Sequence, residues 1–229
     1  MVENKNLNIA WQSQEKTLSL ISGEDALMIY NSLPEQARVG LRYDEDSKTM
    51  VGSTPFAVAN LDLFAQQYDA RTPNLRDLSR PEVMRIAKGK YYIDSRNLVA
   101  RSRTDSDWAK NNPILETIYE LAEQKLGSIR QPFMIEGFTF VPNLEDEKGY
   151  GLSLVPTSDF SVVEDERFDG KYNRQRFYEV DERGIPNFDG NGNRIWYAKR
   201  QGLSGLFLGS DLNLYSGSGN LAYSYDSGR

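Results

Sequence analysis

The hydrophobic periodicity changes at Gly127, and that change limits the fold more than any other feature of this chain. Residues 113–126 give the clearest helix. Asn112 caps it, Pro113 sits in its first turn, and Leu115, Ile118, Tyr119, Ala122 and Leu126 recur at helical spacing before Gly127 stops it. Beyond Gly127 the apolar residues alternate instead, over Phe133 to Val141, Tyr150 to Val155, Phe160 to Val163, Arg176 to Val180 and Arg194 to Lys199. The pattern predicts an α+β fold, with helices mainly in the N-terminal half and an antiparallel, β-rich C-terminal half. The corresponding division is a mixed α/β region over 1–127 and a β-rich region over 128–229. No Pro/Gly linker marks the junction, so one continuous domain is equally compatible.

The N-terminal half reads as short elements with local stop signals. Leu7 to Trp11 and Thr17 to Ile21 alternate like strands. A helix follows with Ser22 as cap and Ala26, Leu27, Tyr30 and Leu33 inward, and Pro34 ends it. Arg38 to Tyr43 and Thr49 to Val51 read as strands around Asp44-Glu45-Asp46-Ser47. Thr54 and Pro55 start a second helix carrying Ala57, Leu61, Phe64 and Tyr68 on one face, with Phe56 and Leu63 beside it. Ser79 and Glu82 have capping-box spacing for a third helix ending at Gly89. Lys90 to Asp94 and Leu98 to Ser102 then read as a hairpin across Ser95-Arg96-Asn97. In the last thirty residues, Leu206/Leu208, Leu212/Leu214 and Leu221/Tyr223 suit consecutive short strands.

Composition narrows the chemistry. The 229 residues contain no histidine and no cysteine. Imidazole bases, Ser-His-Asp triads, thiolate nucleophiles, disulfides and His- or Cys-ligated metals are therefore excluded. Only carboxylates, Lys, Arg, Tyr, Ser/Thr or an oxygen-held hard metal remain for catalysis. No cofactor is expected. No window approaches the roughly 18 apolar residues of a spanning helix, and the first six residues lack the pattern of a signal peptide. A soluble, cytoplasmic protein without membrane contact is the expectation.

The net charge of −6 is unevenly distributed. Residues 71–110 hold ten basic and five acidic side chains, a local +5 between two acidic flanks. Phosphate recognition needs cations, and unpaired bases need flat rings. Arg85, Lys88, Lys90, Tyr92, Arg96, Arg101 and Arg103 supply both residue types. The alternative is that these cations pair with the chain's own carboxylates.

Other motifs carry less. Asp189, Asn191 and Asn193 copy the first ligand positions of a calcium loop, but Arg194 and Arg200 occupy the places needing Gly and Glu. Asn191-Gly192 between Phe188 and Ile195-Trp196 reads instead as a hairpin turn. Asp146 and Lys148, with Asp94 as a distant partner, have the residue types of a nuclease centre, but they sit in an acidic turn. Glu116, Glu120 and Glu123 lie opposite the apolar stripe of the best helix and read as its solvated face. No catalytic or metal-ligating residue is assigned.

The expected function is a soluble, non-catalytic binding or protein-interaction module. Its partner is another protein or a second copy, docking on the basic segment or on the half containing Tyr172, Tyr178, Tyr197, Tyr215, Tyr223 and Tyr225. The alternative is nucleic-acid or phosphate binding by 71–110. A carboxylate-based, metal-dependent hydrolase ranks third.

Overall fold

Short apolar runs separated by turn residues give many brief strands and few helices. The computed structural model describes residues 5–7, 11–14, 17–38, 41–51, 55–103, 113–143, 145 and 152–216. Strands β1 (Lys5–Leu7), β2 (Trp11–Gln14) and β3 (Thr17–Leu20) precede helix α1 (Glu24–Ser32). Next come β4 (Arg42–Asp44), β5 (Thr49–Val51), α2 (Pro55–Ala65), β6 (Ala70–Arg71), α3 (Pro81–Ala87) and β7 (Tyr91–Ala100). Helix α4 (Pro113–Leu126) leads to β8 (Phe133–Pro142), β9 (Leu152–Glu164), β10 (Gln175–Val180), β11 (Pro186–Phe188), β12 (Arg194–Ala198), β13 (Leu203–Leu208) and β14 (Leu214–Ser216). The fold is α+β: the α-helices among the described residues end by Leu126, and only strands and 3-10 turns follow them. No helix among the described residues is long and apolar enough to cross a membrane.

Eleven strands share one mixed sheet in the order β11-β10-β12-β14-β13-β7-β1-β5-β4, with β8 on β7 and β9 on β8. Strand β7 is its hub. One edge of β7 takes β1 in parallel at Tyr91 to Ile93 and β8 antiparallel at Leu98 to Ala100, while β13 runs along the other. Strands from both sides of Gly127 therefore hydrogen-bond to each other. A small second sheet, β3-β2-β6, completes the β structure of the described residues.

Among the described residues, three apolar clusters hold the layers. The first packs Val83 and Ala87 of α3 against Ile93, Val99, Leu206, Leu208, Phe177 and Trp196, with Phe168 buried in the same cluster. The second seats Leu115, Ile118 and Ala122 of α4 on Phe133, Ile135, Phe140 and Phe160. The third joins α1 and α2 through Ile29, Leu33, Leu61 and Ala65 over Met50. Each fully buried Leu, Ile or Phe stabilises by about 1.5–3 kcal/mol, so truncating Phe133 to Ala should cost about 3–5 kcal/mol.

Several local expectations are corrected by tertiary contacts. Ser95-Arg96-Asn97 is not a turn: β7 runs through it as one strand with a bulge, where three residues oppose Leu206 alone. The polar side chains and backbone there dock on the segment after β6. Asn97 Oδ1 accepts from the Leu75 N–H at 2.7 Å, and the Arg96 N–H donates to the Pro73 carbonyl at 2.8 Å. Asn191-Gly192 does not join neighbouring strands, because β10 lies between β11 and β12. The loop closes on Asp189, whose carboxylate accepts from the Asn191 and Gly192 N–H groups, and it passes so close to β10 that a Cβ on Gly192 would strike the Phe177 backbone.

The Ser79–Glu82 capping box is absent. Arg80 precedes α3, Glu82 accepts from Arg80, and the Ser79 hydroxyl accepts from Arg194. Gly23, not Ser22, caps α1, and Leu27 faces solvent. Leu7 to Trp11 is not one strand, since β1 and β2 belong to different sheets. Residues 35–38 form a 3-10 turn, so the strand expected from Arg38 starts only at Arg42. Leu152 to Glu164 is a single strand, with residues 157–160 bulging opposite Gly137. Gly137 has φ of +75°, and a Cβ there would lie 2.6 Å from the Asp159 backbone, so only glycine fits. Ser22, Pro34, Gly89 and Gly127 stand within described residues; Asn112, Thr54, Asp146, Lys148, Tyr150, Leu221, Tyr223 and Tyr225 lie outside them.

Candidate functional site

The described part of the basic segment, residues 71–103, folds mostly onto the protein's own structure. Arg71 forms a bidentate pair with Asp77. Arg96 donates to Asp62 at 3.0 Å, and the same carboxylate accepts from the Thr72 N–H and hydroxyl at 2.8 Å each. Asn97 donates to Glu136 at 3.2 Å. This network ties α2, the segment after β6, the β7 bulge and β8 together. Arg101 reaches beneath β13 and β14, donating to the Phe168 carbonyl, the Ser204 hydroxyl, and the Ser216 carbonyl and hydroxyl. Arg103 bridges Glu116 and Glu123 on α4 and lies 4.5 Å above the Tyr119 ring. Burial pushes the Tyr119 phenol up to about 12.

Arg85, Lys88 and Lys90 stay exposed at the end of α3 and in the turn after it, with Lys90 lying 4.7 Å above Tyr91. The seven residues named for the alternative of phosphate binding are thus divided. Three cations cluster outside, Arg96 and Arg101 act inside, Arg103 covers α4, and Tyr92 joins a different assembly.

That assembly is an aromatic row across four strands. Alternation sends Ile93, Leu208, Leu214 and Trp196 into the first core cluster, so Tyr92, Phe207, Tyr215 and Tyr197 stand on the other side of the sheet. Phe207 and Tyr215 stack with centroids 4.8 Å apart and planes 7° apart; Tyr215 and Tyr197 stack at 4.7 Å and 9°. Tyr92 meets the edge of Phe207 at 5.9 Å. The strand spacing of about 4.8 Å sets this stack. On the same side, Ile195 and Arg176 are directly paired across β12 and β10. Tyr178 of β10, at 55% exposure, is the most exposed large hydrophobic among the described residues.

Faces of the stacked rings cover one another: Phe207 is buried, and Tyr92, Tyr197 and Tyr215 are half-buried. Sugars and nucleobases need open ring faces; carbonyls and carboxylates suit ring edges. The Tyr215 hydroxyl is already committed, donating to Asp211 at 2.7 Å. Burial together with that acidic neighbour raises the Tyr215 phenol above its usual range.

Sequence reasoning noticed Tyr178, Tyr197 and Tyr215 but not Phe207 or Tyr92 as their companions. Those two are 115 residues apart in the chain, and only the β7–β13 register brings them together. Among the described residues no cluster of three or more acidic side chains is arranged to hold a metal ion. No protein-family profile matches the chain, and no curated protein or solved structure is significantly similar to it.

Proposed function

We propose that the protein is a non-catalytic interaction module that binds another protein through the aromatic side of β7, β13, β14, β12 and β10. The observation that carries this reading is the row Tyr92–Phe207–Tyr215–Tyr197, continued by the exposed Tyr178 and Arg176. Aromatic and arginine side chains are enriched where protein partners dock: a ring buries much area while fixing only two torsions, and a guanidinium offers five donors. The edge-on presentation favours a peptide or folded surface rich in acceptor groups. A cytoplasmic setting belongs to the same proposal and rests on the cysteine-free composition.

A photo-crosslinking residue placed at Tyr178 or Tyr197 tests it. Both positions should yield the same discrete adduct, a second copy or another protein, and a probe at exposed Glu120 on α4 should not. Equal labelling from all three positions would overturn the reading. The phosphate alternative now rests on Arg85, Lys88 and Lys90. Its test is oligonucleotide affinity across a salt series, where the triple alanine variant should lower the salt slope by roughly 2–3 if those cations contact phosphates. An unchanged slope removes it.

A further inference from the structure

Strands β12 and β14 bring two phenols face to face. The strands run parallel, and Tyr197 and Tyr215 are direct partners in their register. Side chains of such a pair leave the sheet on the same side, one strand spacing apart, so one ring lies over the other. Their centroids are 4.7 Å apart and their planes 9° apart. The stacks Phe207/Tyr215 and Tyr172/Phe188 hold only one phenol each. Tyr197 and Tyr215 are both half-buried, so part of each ring meets solvent.

One of the two phenols already has a destination for its proton. The Tyr215 hydroxyl donates to Asp211 at 2.7 Å, and the Asn213 side-chain amide, donating to the same oxygen at 2.7 Å, holds that carboxylate in place. Burial and this carboxylate raise the Tyr215 pKa above its usual range, so the residue starts as a neutral phenol. A phenol that loses an electron becomes a strong acid. A carboxylate at hydrogen-bond distance then takes the proton without either heavy atom having to move.

We propose that Tyr197 and Tyr215 form a site of oxidative modification, at which a small one-electron oxidant of the peroxide-derived radical class joins the two rings as an intramolecular dityrosine. Each phenol gives up one electron and its hydroxyl proton, the Tyr215 proton by way of Asp211 and the Tyr197 proton to solvent. Two equivalents of the oxidant are reduced. The unpaired electron of a phenoxyl has density on the carbons ortho to oxygen, in orbitals perpendicular to the ring. Stacked rings turn those orbitals toward each other, and a tilt brings one ortho carbon of each into bonding contact. The new carbon–carbon bond forms there, and the hydrogens on those two carbons pass as protons to the two oxygens, which restores both phenols. The product is two hydrogens lighter and ties β12 to β14 across the return through β13. Phe207, stacked on Tyr215 in the same row, is a hydrocarbon ring and forms no phenoxyl, so Tyr197 is the coupling partner. The chemistry does not rest on the docking reading, since the stack belongs to the protein alone.

Brief illumination of the full chain at high dilution with a ruthenium tris-bipyridyl sensitiser and persulfate tests the assignment. Monomer is then separated from covalent dimer under denaturing conditions. The monomer should show dityrosine fluorescence and a mass loss of two hydrogens, and its digest should contain the Tyr197 peptide linked to the Tyr215 peptide. Tyr197→Phe and Tyr215→Phe keep the stacked rings and lose one phenol, and each should abolish the monomer signal. Tyr178→Phe should leave it unchanged, because that exposed ring is not part of the pair. A monomer signal that survives either variant at position 197 or 215 would overturn the proposal. So would a monomer without dityrosine in a sample where Tyr178 has been oxidised or has linked one chain to another.

Discussion

Arg96 and Arg194 are both largely enclosed arginines on strands of the same sheet, yet their surroundings are opposite. Arg96 faces Asp62, which is held in turn by Thr72, and a second pair, Arg71–Asp77, lies in the same segment. Arg194 meets only neutral acceptors and the Phe177 ring. A buried pair is a mutual dependency, in which removal of one member strands the other. A buried lone cation has no such hostage. The difference teaches that burial alone does not set the cost of losing a charge; what remains behind does.

The largest effect should follow from breaking the pair. Asp62→Ala leaves Arg96 without its carboxylate and Thr72 without its acceptor, and should lower stability by about 3–5 kcal/mol in chemical denaturation. A loss below about 1 kcal/mol would show that Arg96 finds water or another acceptor, and the contrast would weaken.

An acid titration extends the comparison to the paired cluster of Asp165, Asp181, Arg167 and Arg183. Burial alone would raise both carboxyls. Hydrogen bonds from Arg167 outweigh it, with further help at Asp181 from the Ile185 and Arg183 N–H groups, and hold both below the usual carboxylate range. A depressed carboxylate contributes stability above its unfolded pKa of about 4 and loses it as pH falls toward the folded value. Wild type should therefore lose stability steadily below about pH 4, and Asp165→Asn should flatten that limb. An unchanged acid limb in the variant would place the proton uptake elsewhere.

Arg194→Met sharpens the contrast from the other side. Without a carboxylate to strand, it should change stability by less than about 1 kcal/mol, or raise it. Arg96→Met, of the same chemistry, should destabilise clearly. The smallest effect belongs to Arg103→Ala, where the ion pairs with Glu116 and Glu123 are solvent-screened. Its cost should stay below about 1 kcal/mol and shrink with added salt.

Elements defined by their own periodicity were legible in the sequence. Helix α4 follows Pro113 to Leu126, and β8, β10 and β12 lie close to the alternating runs. Elements defined by a distant partner were not. Ser95-Arg96-Asn97 has turn composition, but Pro73, Leu75 and Asp62 supply better partners than a local turn does. Asn191-Gly192 has hairpin composition, yet β10 occupies the place beside β12. At the candidate site, tyrosine enrichment was visible and the stacking was not, since register across β7, β13, β14 and β12 is a tertiary property. The basic segment was visible as charge, but whether a cation meets solvent or a carboxylate cannot be read from its neighbours in the chain.

The hub position of β7 sets an order for synthesis. Its parallel partner β1 leaves the ribosome first, but β13, which runs along its other edge, emerges about a hundred residues after β7 does. During that interval one edge of a largely apolar strand has open N–H and C=O groups, and the pairings still to form are among the most distant in the chain. The nascent protein is therefore most vulnerable to mispairing between the release of β7 and that of β13. Chaperone occupancy during translation should be highest there and fall once Leu208 has cleared the exit tunnel.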